Sequence, residues 1–342
     1  MANFLNILYV TTQGAYVHKD HENVVVEVDR QPLLRVPVRM LGGVVCFGRV
    51  TVSPFLIGFC AERGIAVSFM TESGAFLGRV EGPVSGNVLL RREQFRKADR
   101  DDASAAIAKA IVLGKVRNLR AVLQRGSRER SHDAAARLND AADALRRLLP
   151  SLEEAGTVEE IRGYEGQAAA VYFGVFDDLI ATDDPAFRFE KRSRRPPLNR
   201  LNAMLSFGYA LLLRDCAAAL QAVGLDPAVG FLHADRPGRL SLALDLMEEF
   251  RAVLVDRMVF AMVNRRQIAK EDFEVTDAGT VSFRDGARKA YLVEYQNRKA
   301  EKIVHPIVNE TAAWALVPHI QARLLARTIR GDLDEYPAFP VR

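Results

Sequence analysis

The chain has 342 residues, of which 49% are hydrophobic and 26% are charged. This composition is that of an ordinary globular protein and excludes collagen-like, coiled-coil and wholly disordered chains. At roughly 150 residues per domain, the length predicts about two domains, each able to bury a core. The net charge of +4, from 47 basic and 43 acidic residues, is too small to indicate nucleic-acid binding by itself.

Cysteine usage and hydropathy predict the compartment. The three cysteines are widely spaced, odd in number and contain no CxxC pair, which argues against a disulfide scaffold or a cysteine-based zinc site and favours a reducing cytoplasm. The N-terminus lacks the basic region of a signal peptide. The longest charge-free stretch, 201–213, is shorter than the ~20 residues that a membrane span needs. We therefore expect a soluble, cytoplasmic protein.

The first quarter of the chain predicts a β domain over residues 1–85. Turn residues such as Gln13-Gly14 separate apolar stretches of strand length, which lie at 6–10, 23–28, 33–37, 44–47, 66–70 and 75–80. One short helix is predicted over 54–63, up to Gly64. The spacing favours a small sandwich or roll over a parallel sheet.

After residues 86–102, a polar stretch predicted to be a linker, the apolar residues recur with the period of helices. Thr157-Val-Glu-Glu160 has the form of a capping box, a small hairpin is expected around Asp277-Ala-Gly279, and the tail from Asp332 is expected to be loosely held. Helices are predicted at about 107–123, 134–149, 157–180, 197–224, 242–264 and 307–329. The fold class is therefore α+β, with a small N-terminal β-sandwich or roll and a larger all-α domain over 103–342.

Glu165 is the first polar group at a position where the helical pattern expects an apolar one. On a helical wheel it shares a face with Ile161, Ala168, Ala169 and Tyr172, so its carboxylate is predicted to point into packed protein. Burial of a carboxylate is costly unless the group is paired, hydrogen-bonded or bound to a metal. A salt bridge to an arginine and a metal ligand are both open interpretations.

A histidine and two acids form the second candidate group. His233 precedes a loop, and Ser241 is placed to cap the helix that carries the acids. Asp245 and Glu248 are three residues apart and share an inward face of that helix, whereas Glu249 is expected to be solvated. A lone histidine is usually structural, but a histidine with two inward carboxylates is a candidate site.

The chemistry of these groups favours a hard divalent cation. Two carboxylates and one imidazole suit Mn²⁺ or Mg²⁺, with open positions for water and phosphate oxygens, whereas zinc would want more nitrogen or sulfur ligands. The sequence contains no GxxxxGK[ST], GxGxxG or GxSxG motif. Nucleotide-driven and serine-hydrolase chemistry therefore have no support.

A basic cluster lies between residues 188 and 200, where six basic residues stand against one acid, Glu190. Next to it, Asn199, Asn202, Ser206 and Tyr209 form a polar stripe on one face of a predicted helix. Each feature alone is commonly a solvated surface. Together they are also the arrangement expected of a phosphate-binding site.

Three segments carry a resemblance to a known family: Arg162-Gly-Tyr-Glu-Gly, RPPLNRLNAMLSFGY at 195–209 and GFLHADRPGRLSLALDLMEEF at 230–250. With them, the whole chain resembles the CRISPR-associated endonuclease and integrase of the adaptation module, the first-numbered Cas protein family. Three motifs in the right order over about 90 residues make a specific match.

The resemblance implies an N-terminal β-sandwich used for homodimerisation and a C-terminal helical domain that holds DNA and metal. It implies that Glu165, His233 and Glu248 bind Mg²⁺ or Mn²⁺ and form the catalytic group with the adjacent Asp245; which of the last two acids is the ligand stays open. The implied reaction is attack of a DNA 3′-hydroxyl on a phosphodiester, which inserts a spacer into a CRISPR array. The implied partners are branched DNA of protospacer and repeat, and a small ferredoxin-like protein, the second-numbered Cas protein.

Such DNA would be held mainly through its phosphates. The weaker candidates for these contacts are Arg298 and Lys299. The residues that we expect to make them are Arg188, Arg192, Arg194, Arg195, Asn199, Arg200, Asn202 and Ser206.

Two other functions stay open on the residues alone. The first is a non-catalytic DNA-binding scaffold with a structural metal site. The inward acids argue against it, because burial of a carboxylate costs free energy and a scaffold has no need of such groups. The second is a hydrolase of small phosphoesters, against which the basic cluster argues.

Overall fold

The computed structural model describes residues 7–72, 76–80, 88–194 and 196–341, without the side chain of Phe76. The chain divides into two compact units. The first comprises Met1–Gly86, Arg288–Lys302 and Ala313–Leu316, and the second comprises Asn87–Ala287, Ile303–Ala312 and Val317–Arg342. The predicted fold class is confirmed, because N-terminal strand sheets are followed by a mostly helical chain.

The N-terminal part of the first unit holds two four-stranded sheets and one helix. Its elements are β1 Ile7–Val10, β2 Tyr16–Asp20, β3 Asn23–Val28, β4 Gln31–Pro37, β5 Gly43–Phe47, β6 Thr51–Val52, α1 Pro54–Glu62, β7 Ala66–Met70 and β8 Phe76–Val80. The strand orders are β1-β5-β7-β8 and β4-β3-β2-β6. Val17 and Val24 of one sheet, Val44 and Val67 of the other, and Leu56 of α1 are buried in one core.

Parallel strand pairs, which the spacing disfavours, are nevertheless present in both sheets, since β2 also pairs with β6 in parallel. β1 pairs with β5, and β5 with β7, in parallel, whereas β8 is antiparallel to β7. Parallel neighbours need a crossover, which β2–β4 provide between β1 and β5, and α1 provides between β5 and β7. A crossover leaves no trace in the spacing of apolar stretches. β2 and β6 were also not predicted, because β2 reads YVHKD and β6 has two residues.

The rest of the chain is mainly helical. Its helices and strands are α2 Val88–Ala98, α3 Asp101–Ser127, α4 His132–Glu154, α5 Val158–Gly174, α6 Arg200–Ala222, α7 Ser241–Glu248, a π-helical turn Arg251–Asp256, α8 Arg257–Asn264, β9 Phe273–Val275, β10 Val281–Phe283, α9 Asp285–Ala300, β11 Lys302–Val304, β12 Thr311–Ala313 and α10 Val317–Arg330. Short 3₁₀ turns lie at Val38–Met40, Phe176–Leu179, Pro185–Phe187, Lys270–Asp272 and Trp314–Leu316.

Several of the predicted local structures are present. The capping box of Thr157 and Glu160 forms at the start of α5, and β9 and β10 form the expected hairpin. Pro150 lies inside α4, although the sequence predicts that this helix ends there. The helix predicted over 242–264 is interrupted by the π-helical turn. π-Helical turns within helices are frequently found at functional sites.

Residues 86–102, predicted to be a linker, contain α2 and the start of α3. Gln94 of α2 is fully buried, and its amide nitrogen donates hydrogen bonds to the carbonyl oxygens of Asp226 (2.8 Å) and Val229 (2.9 Å). Its amide oxygen accepts one from the Asp226 N–H at 2.9 Å. Buried polar groups need such partners, so this stretch is anchored to the helical unit and is not a free connection.

The expectation of a loosely held C-terminal tail is wrong. Tyr336 and Phe339 are buried, and Asn118 of α3 donates to the Phe339 carbonyl oxygen and accepts from the Val341 N–H. Glu249, expected to be solvated, is fully buried and accepts hydrogen bonds from the Tyr336 hydroxyl at 2.6 Å and the Phe339 N–H at 2.5 Å. The tail is therefore held in position by the hydrogen bonds that it donates to the buried Glu249 carboxylate. This tertiary contact cannot be predicted from the sequence of the tail alone.

α6 is long and apolar enough to cross a membrane, as judged by length and composition within the described residues. However, 67% of its apolar window is buried inside the protein. Such burial is typical of a core helix.

Replacing Phe339 with alanine should destabilise the helical unit by about 3–5 kcal/mol, because the ring is fully buried between Phe250 and His305. Chemical unfolding followed by circular dichroism measures this loss. The matched control is Phe95→Ala on α2, whose side chain is 44% exposed. Equal losses for the two variants would contradict the anchoring of the tail.

Candidate active site

Glu165 of α5 meets a cation from another helix. Its side chain is 29% exposed, and its Oε1 accepts a hydrogen bond from the ammonium of Lys115 on α3. The salt bridge that the sequence left open is therefore present, with lysine in place of the expected arginine. One turn earlier, Arg162 donates from Nε to the Leu232 carbonyl oxygen at 2.6 Å. The Arg162-Gly-Tyr-Glu motif thus contributes both the carboxylate and a hydrogen bond to the segment that precedes His233.

Asp245 holds the histidine segment. One of its oxygens accepts from the N–H groups of Phe231 (2.7 Å) and Leu232 (3.0 Å), and the other from the N–H (2.9 Å) and the ring Nδ1 (2.7 Å) of His233. Asp245 is fully buried, so these four contacts occupy its acceptor capacity. The Nδ1 hydrogen bond fixes the tautomer of His233 and leaves its Nε2 as the ring nitrogen that can bind a metal ion or exchange a proton.

A glycine allows the turn before His233. A Cβ at Gly230 would lie 2.8 Å from the Cβ of Ser241 and 2.9 Å from the His233 carbonyl oxygen, closer than real contacts allow. The segment can therefore approach the start of α7 only with glycine at this position.

Glu248 lies at the end of α7 between two cations. Its Oε1 accepts a hydrogen bond from Nε of Arg251 at 2.9 Å, and its Oε2 lies 2.6 Å from Nζ of Lys115. Burial by itself would raise the pKa of Glu248, but the charges of Arg251 and Lys115 outweigh burial and lower the pKa to about 2. The carboxylate is therefore ionised throughout the physiological range, as a metal ligand must be.

A second buried carboxylate supports Arg251. Asp256, at the other end of the π-helical turn, accepts hydrogen bonds from the hydroxyls of Tyr209 (2.6 Å) and Tyr172 (3.0 Å). The guanidinium of Arg251 lies 4.6 Å from the ring centroid of Tyr209 and can make a cation–π contact with it. Tyr209 therefore joins the Asp256 carboxylate to the cation that faces Glu248.

The donor set fits a divalent cation. Carboxylate oxygens and one imidazole nitrogen are acceptable ligands for Mg²⁺ and Mn²⁺. Oε2 of Glu248 is buried and accepts no hydrogen bond from the described residues, although a cation faces it. Within those residues, no three histidine, cysteine or acidic side chains are grouped closely enough to share an ion as they stand.

Half of the predicted DNA-contacting residues make hydrogen bonds with one another inside the protein. Asn202 is fully buried, and its side-chain oxygen accepts from Nη1 of Arg192 at 2.7 Å. Nη2 of Arg192 donates to Ser206 at 3.1 Å, and Asn199 caps α6 by accepting from the Asn202 N–H. These contacts argue against Asn202 and Arg192 as direct contacts to DNA. They stabilise the segment that carries the basic cluster.

The remaining cations differ in exposure. Arg188 is exposed but pairs with Asp177 at 2.8 Å, and Arg200 donates to backbone carbonyl oxygens at 3.4 Å. Arg194 is exposed and forms no ion pair with the described residues. Arg195 lies outside the described residues. In the first unit, Lys299 is buried and Arg298 pairs with Glu301, so neither of these weaker candidates is presented to a ligand.

Sequence reasoning missed Lys115, Arg251 and Asp256. A signal for Lys115 was present, because it lies four residues after Ile111 and four before Leu119, on the buried stripe of α3. A basic residue on an apolar stripe requires a buried acid as its partner. Arg251 and Asp256 lie in the π-helical turn, where a regular helical wheel assigns faces incorrectly.

The fold agrees with the comparisons to known proteins. The sequence profile described as CRISPR associated protein Cas1 matches residues 8–297. CRISPR-associated endonuclease Cas1 1 of Chlorobaculum tepidum is 52% identical over 340 residues and 99% of both chains. CRISPR-associated endonuclease Cas1 2 of Rhodospirillum rubrum is 51% identical over 342 residues and 98% of both chains.

Solved structures show the same fold. A Cas1 protein from Thermotoga maritima has a TM-score of 0.82 at 25% identity, over 95% of this chain and 97% of that one. A casposase bound to its integration product has a TM-score of 0.80 at 22% identity, over 98% and 94%. The class of protein is thus a CRISPR-associated endonuclease, as the sequence predicts. This chain belongs to the Cas1 family.

Replacing Tyr209 with phenylalanine should destabilise the protein by about 2 kcal/mol, because a buried carboxylate loses its shorter hydrogen bond. Burial raises the pKa of Asp256 to about 6, against the lowering effect of the two phenols. Loss of one phenol raises this pKa further, so the variant should lose more stability at pH 8, where Asp256 is ionised, than at pH 5. Thermal unfolding at the two pH values measures the difference.

Tyr164→Phe on α5 is the control for this experiment, because the Tyr164 hydroxyl forms no hydrogen bond with the described residues. It should change stability little at either pH. A loss for Tyr209→Phe that is the same at pH 5 and pH 8 would show that the hydroxyl does not act through the charge of Asp256.

Proposed function

We propose that this protein is a metal-dependent DNA endonuclease and integrase that inserts short spacers into a CRISPR array. A DNA 3′-hydroxyl attacks a phosphodiester, so that one phosphodiester bond forms as another breaks. The observation that carries the proposal is the pair of inward carboxylates, Glu165 and Glu248, in the helical unit of a Cas1 protein. Its relatives are named endonucleases, and the casposase of the same fold is described with an integration product.

Glu165, Glu248 and Nε2 of His233 would hold one Mg²⁺ or Mn²⁺. A cation at this place would polarise a phosphoryl oxygen and stabilise the charge that grows in the transition state. Glu248 keeps its charge at neutral pH because Arg251 and Lys115 face it. No protein nucleophile is required, since the DNA hydroxyl or a water molecule attacks the phosphorus.

Asp245 acts as a positioning residue and not as a ligand. Both of its oxygens already accept two hydrogen bonds, from backbone groups and from the ring of His233. Of the two acids, the proposal therefore takes Glu248 as the ligand, which is supported by its Oε2 accepting no hydrogen bond from the described residues. Asp245 orients His233, so that Nε2 can bind the ion or exchange a proton with the reacting hydroxyl.

The DNA backbone would lie along the basic segment, with Arg194 and Arg195 as the main phosphate contacts and Arg188 and Arg200 beside them. Arg194 is exposed, and the side chain of Arg188 is 59% exposed although it pairs with Asp177, so both can reach a ligand. Arginine is well suited to this role because its guanidinium binds phosphate with two parallel hydrogen bonds. Arg192, Asn199, Asn202 and Ser206 support the segment from within.

The assembly would include a second copy of this chain and a Cas2-type partner. A complex named Cas6-RT-Cas1–Cas2 contains a chain of this fold, with a TM-score of 0.84 at 24% identity, of which this chain spans 36%. The N-terminal sheets would supply the homodimer contact, and branched DNA of protospacer and repeat would be the substrate. The absence of a disulfide among the described cysteines agrees with a cytoplasmic location.

Glu165→Gln and His233→Asn should each lower Mn²⁺-dependent joining of a branched DNA at least ~100-fold, because each removes a ligand while nearly preserving side-chain volume. Strand transfer is measured on a labelled branched DNA with a free 3′-hydroxyl, with and without the Cas2-type partner. DNA affinity should stay within a few-fold of wild type.

The control is Glu154→Gln at the end of α4, an exposed carboxylate in the same unit, which should join at the wild-type rate. Joining by wild type that both variants retain would refute the site. Intact DNA binding with no joining by wild type, even with the partner added, would favour the non-catalytic scaffold.

Arg194→Ala should reduce the salt dependence of DNA binding by about one counterion, because one phosphate contact is lost. Fluorescence anisotropy over a range of NaCl concentrations gives this slope. Arg146→Ala on α4, which removes another exposed arginine, one that pairs with Asp143, is the control and should leave the slope unchanged. An unchanged slope for Arg194→Ala would remove Arg194 from the interface.

A further inference from the structure

The two acids proposed as metal ligands already share a cation. The ammonium of Lys115 pairs with Oε1 of Glu165 and lies 2.6 Å from Oε2 of Glu248. The side chain of Lys115 is 9% exposed, and that of Glu248 is 5% exposed. The largely buried ammonium of Lys115 therefore neutralises the two carboxylates that would bind a divalent ion.

The charges of this cluster balance without a metal. Two carboxylates, Glu165 and Glu248, face two cations, Lys115 and Arg251. Each oxygen of Glu248 faces one of these cations, since Arg251 donates to Oε1 and Lys115 lies against Oε2. A divalent ion that binds both acids brings two more positive charges, and a nearby ammonium repels it strongly at low dielectric.

Of the two cations, Lys115 is the one that can leave. The guanidinium of Arg251 lies 4.6 Å from the ring centroid of Tyr209 and donates to Glu248, which fixes its plane. Lysine has a compact charge on a flexible stem of four methylene groups and can rotate away without breaking a planar contact. Lys115 also contacts both acids, so its release frees an oxygen on each.

We propose that Lys115 is an exchangeable counter-ion, which holds Glu165 and Glu248 together in the metal-free protein and yields them to the divalent cation. It is a positioning residue that preassembles the ligands and weakens metal binding in doing so. The inference rests on the proposed function, because it takes these two acids as the ligands.

The test is titration of MnCl₂ into the full-length protein by isothermal titration calorimetry. Lys115→Met keeps the stem and removes the charge, and should bind Mn²⁺ about tenfold more tightly than wild type. The control is Lys109→Met on the same helix, whose ammonium donates to the Glu153 carbonyl oxygen, and it should bind like wild type. A merely structural role for Lys115 would weaken metal binding or leave it unchanged, so tighter binding separates the two roles.

Stability gives a second measurement on the same proteins. Without metal, Lys115→Met leaves two adjacent acids without their shared cation, so its melting temperature should be lower than that of wild type. Saturating Mn²⁺ should raise the melting temperature of this variant by more than that of wild type or Lys109→Met. An equal or smaller rise would overturn the inference.

The outcomes separate the two proposals. If Glu165→Gln binds Mn²⁺ as wild type does, the proposed metal site is wrong. If Glu165→Gln loses Mn²⁺ binding but Lys115→Met binds no more tightly than wild type, the metal site stands and the counter-ion is refuted.

Wild-type protein supplies a measurement that does not depend on the folding of a variant. Acetic anhydride acetylates accessible amines, and peptide mass spectrometry gives the extent of modification at each lysine. Mn²⁺ should increase the acetylation of Lys115 and leave that of Lys109 unchanged. If Mn²⁺ leaves Lys115 as protected as in the metal-free protein, Lys115 is not exchanged.

Discussion

The ionised carboxylates of Glu165 and Glu248 can lie inside the helical unit only because positively charged side chains pair with them. An ionised carboxylate removed from water costs several kcal/mol unless it is paired and hydrogen-bonded. Lys115 of α3 pairs with both acids, and Arg251 of the π-helical turn pairs with Glu248. These contacts connect three helices that lie far apart in the sequence, so the packing of the unit and the chemistry of its site depend on the same ion pairs.

Other buried carboxylates position this cluster without joining it. Asp245 fixes the segment and ring of His233 through four hydrogen bonds, and Asp256, through Tyr209, supports Arg251. Glu249 holds the C-terminal tail against α7. With Glu248, these are four acids within twelve residues. Each has a different structural role, which follows from the face of the helical turn that it occupies.

Local patterns predicted the inward placement of Glu165 and Glu248 better than they predicted the pairing of the strands. Glu165 and Glu248 could be found because a carboxylate at an inward helical position breaks a regular period, and a buried acid is a strong signal. Their cation could have been found on the stripe of α3, but Lys115 is 133 residues from Glu248, and nothing local pairs them. The parallel order of the first sheet escaped prediction for a related reason, since strand partners are set by crossovers and not by the strands. The anchored tail likewise depends on Glu249, about ninety residues earlier.

The most direct measurement is anomalous diffraction from crystals of the protein grown with Mn²⁺. We expect one anomalous peak within ligand distance of Glu165, Glu248 and Nε2 of His233, with Asp245 still hydrogen-bonded to the histidine ring and the Lys115 ammonium moved away from both acids. A peak at Asp245, or Lys115 still paired with both acids in a protein whose Mn²⁺ is bound elsewhere, would contradict it.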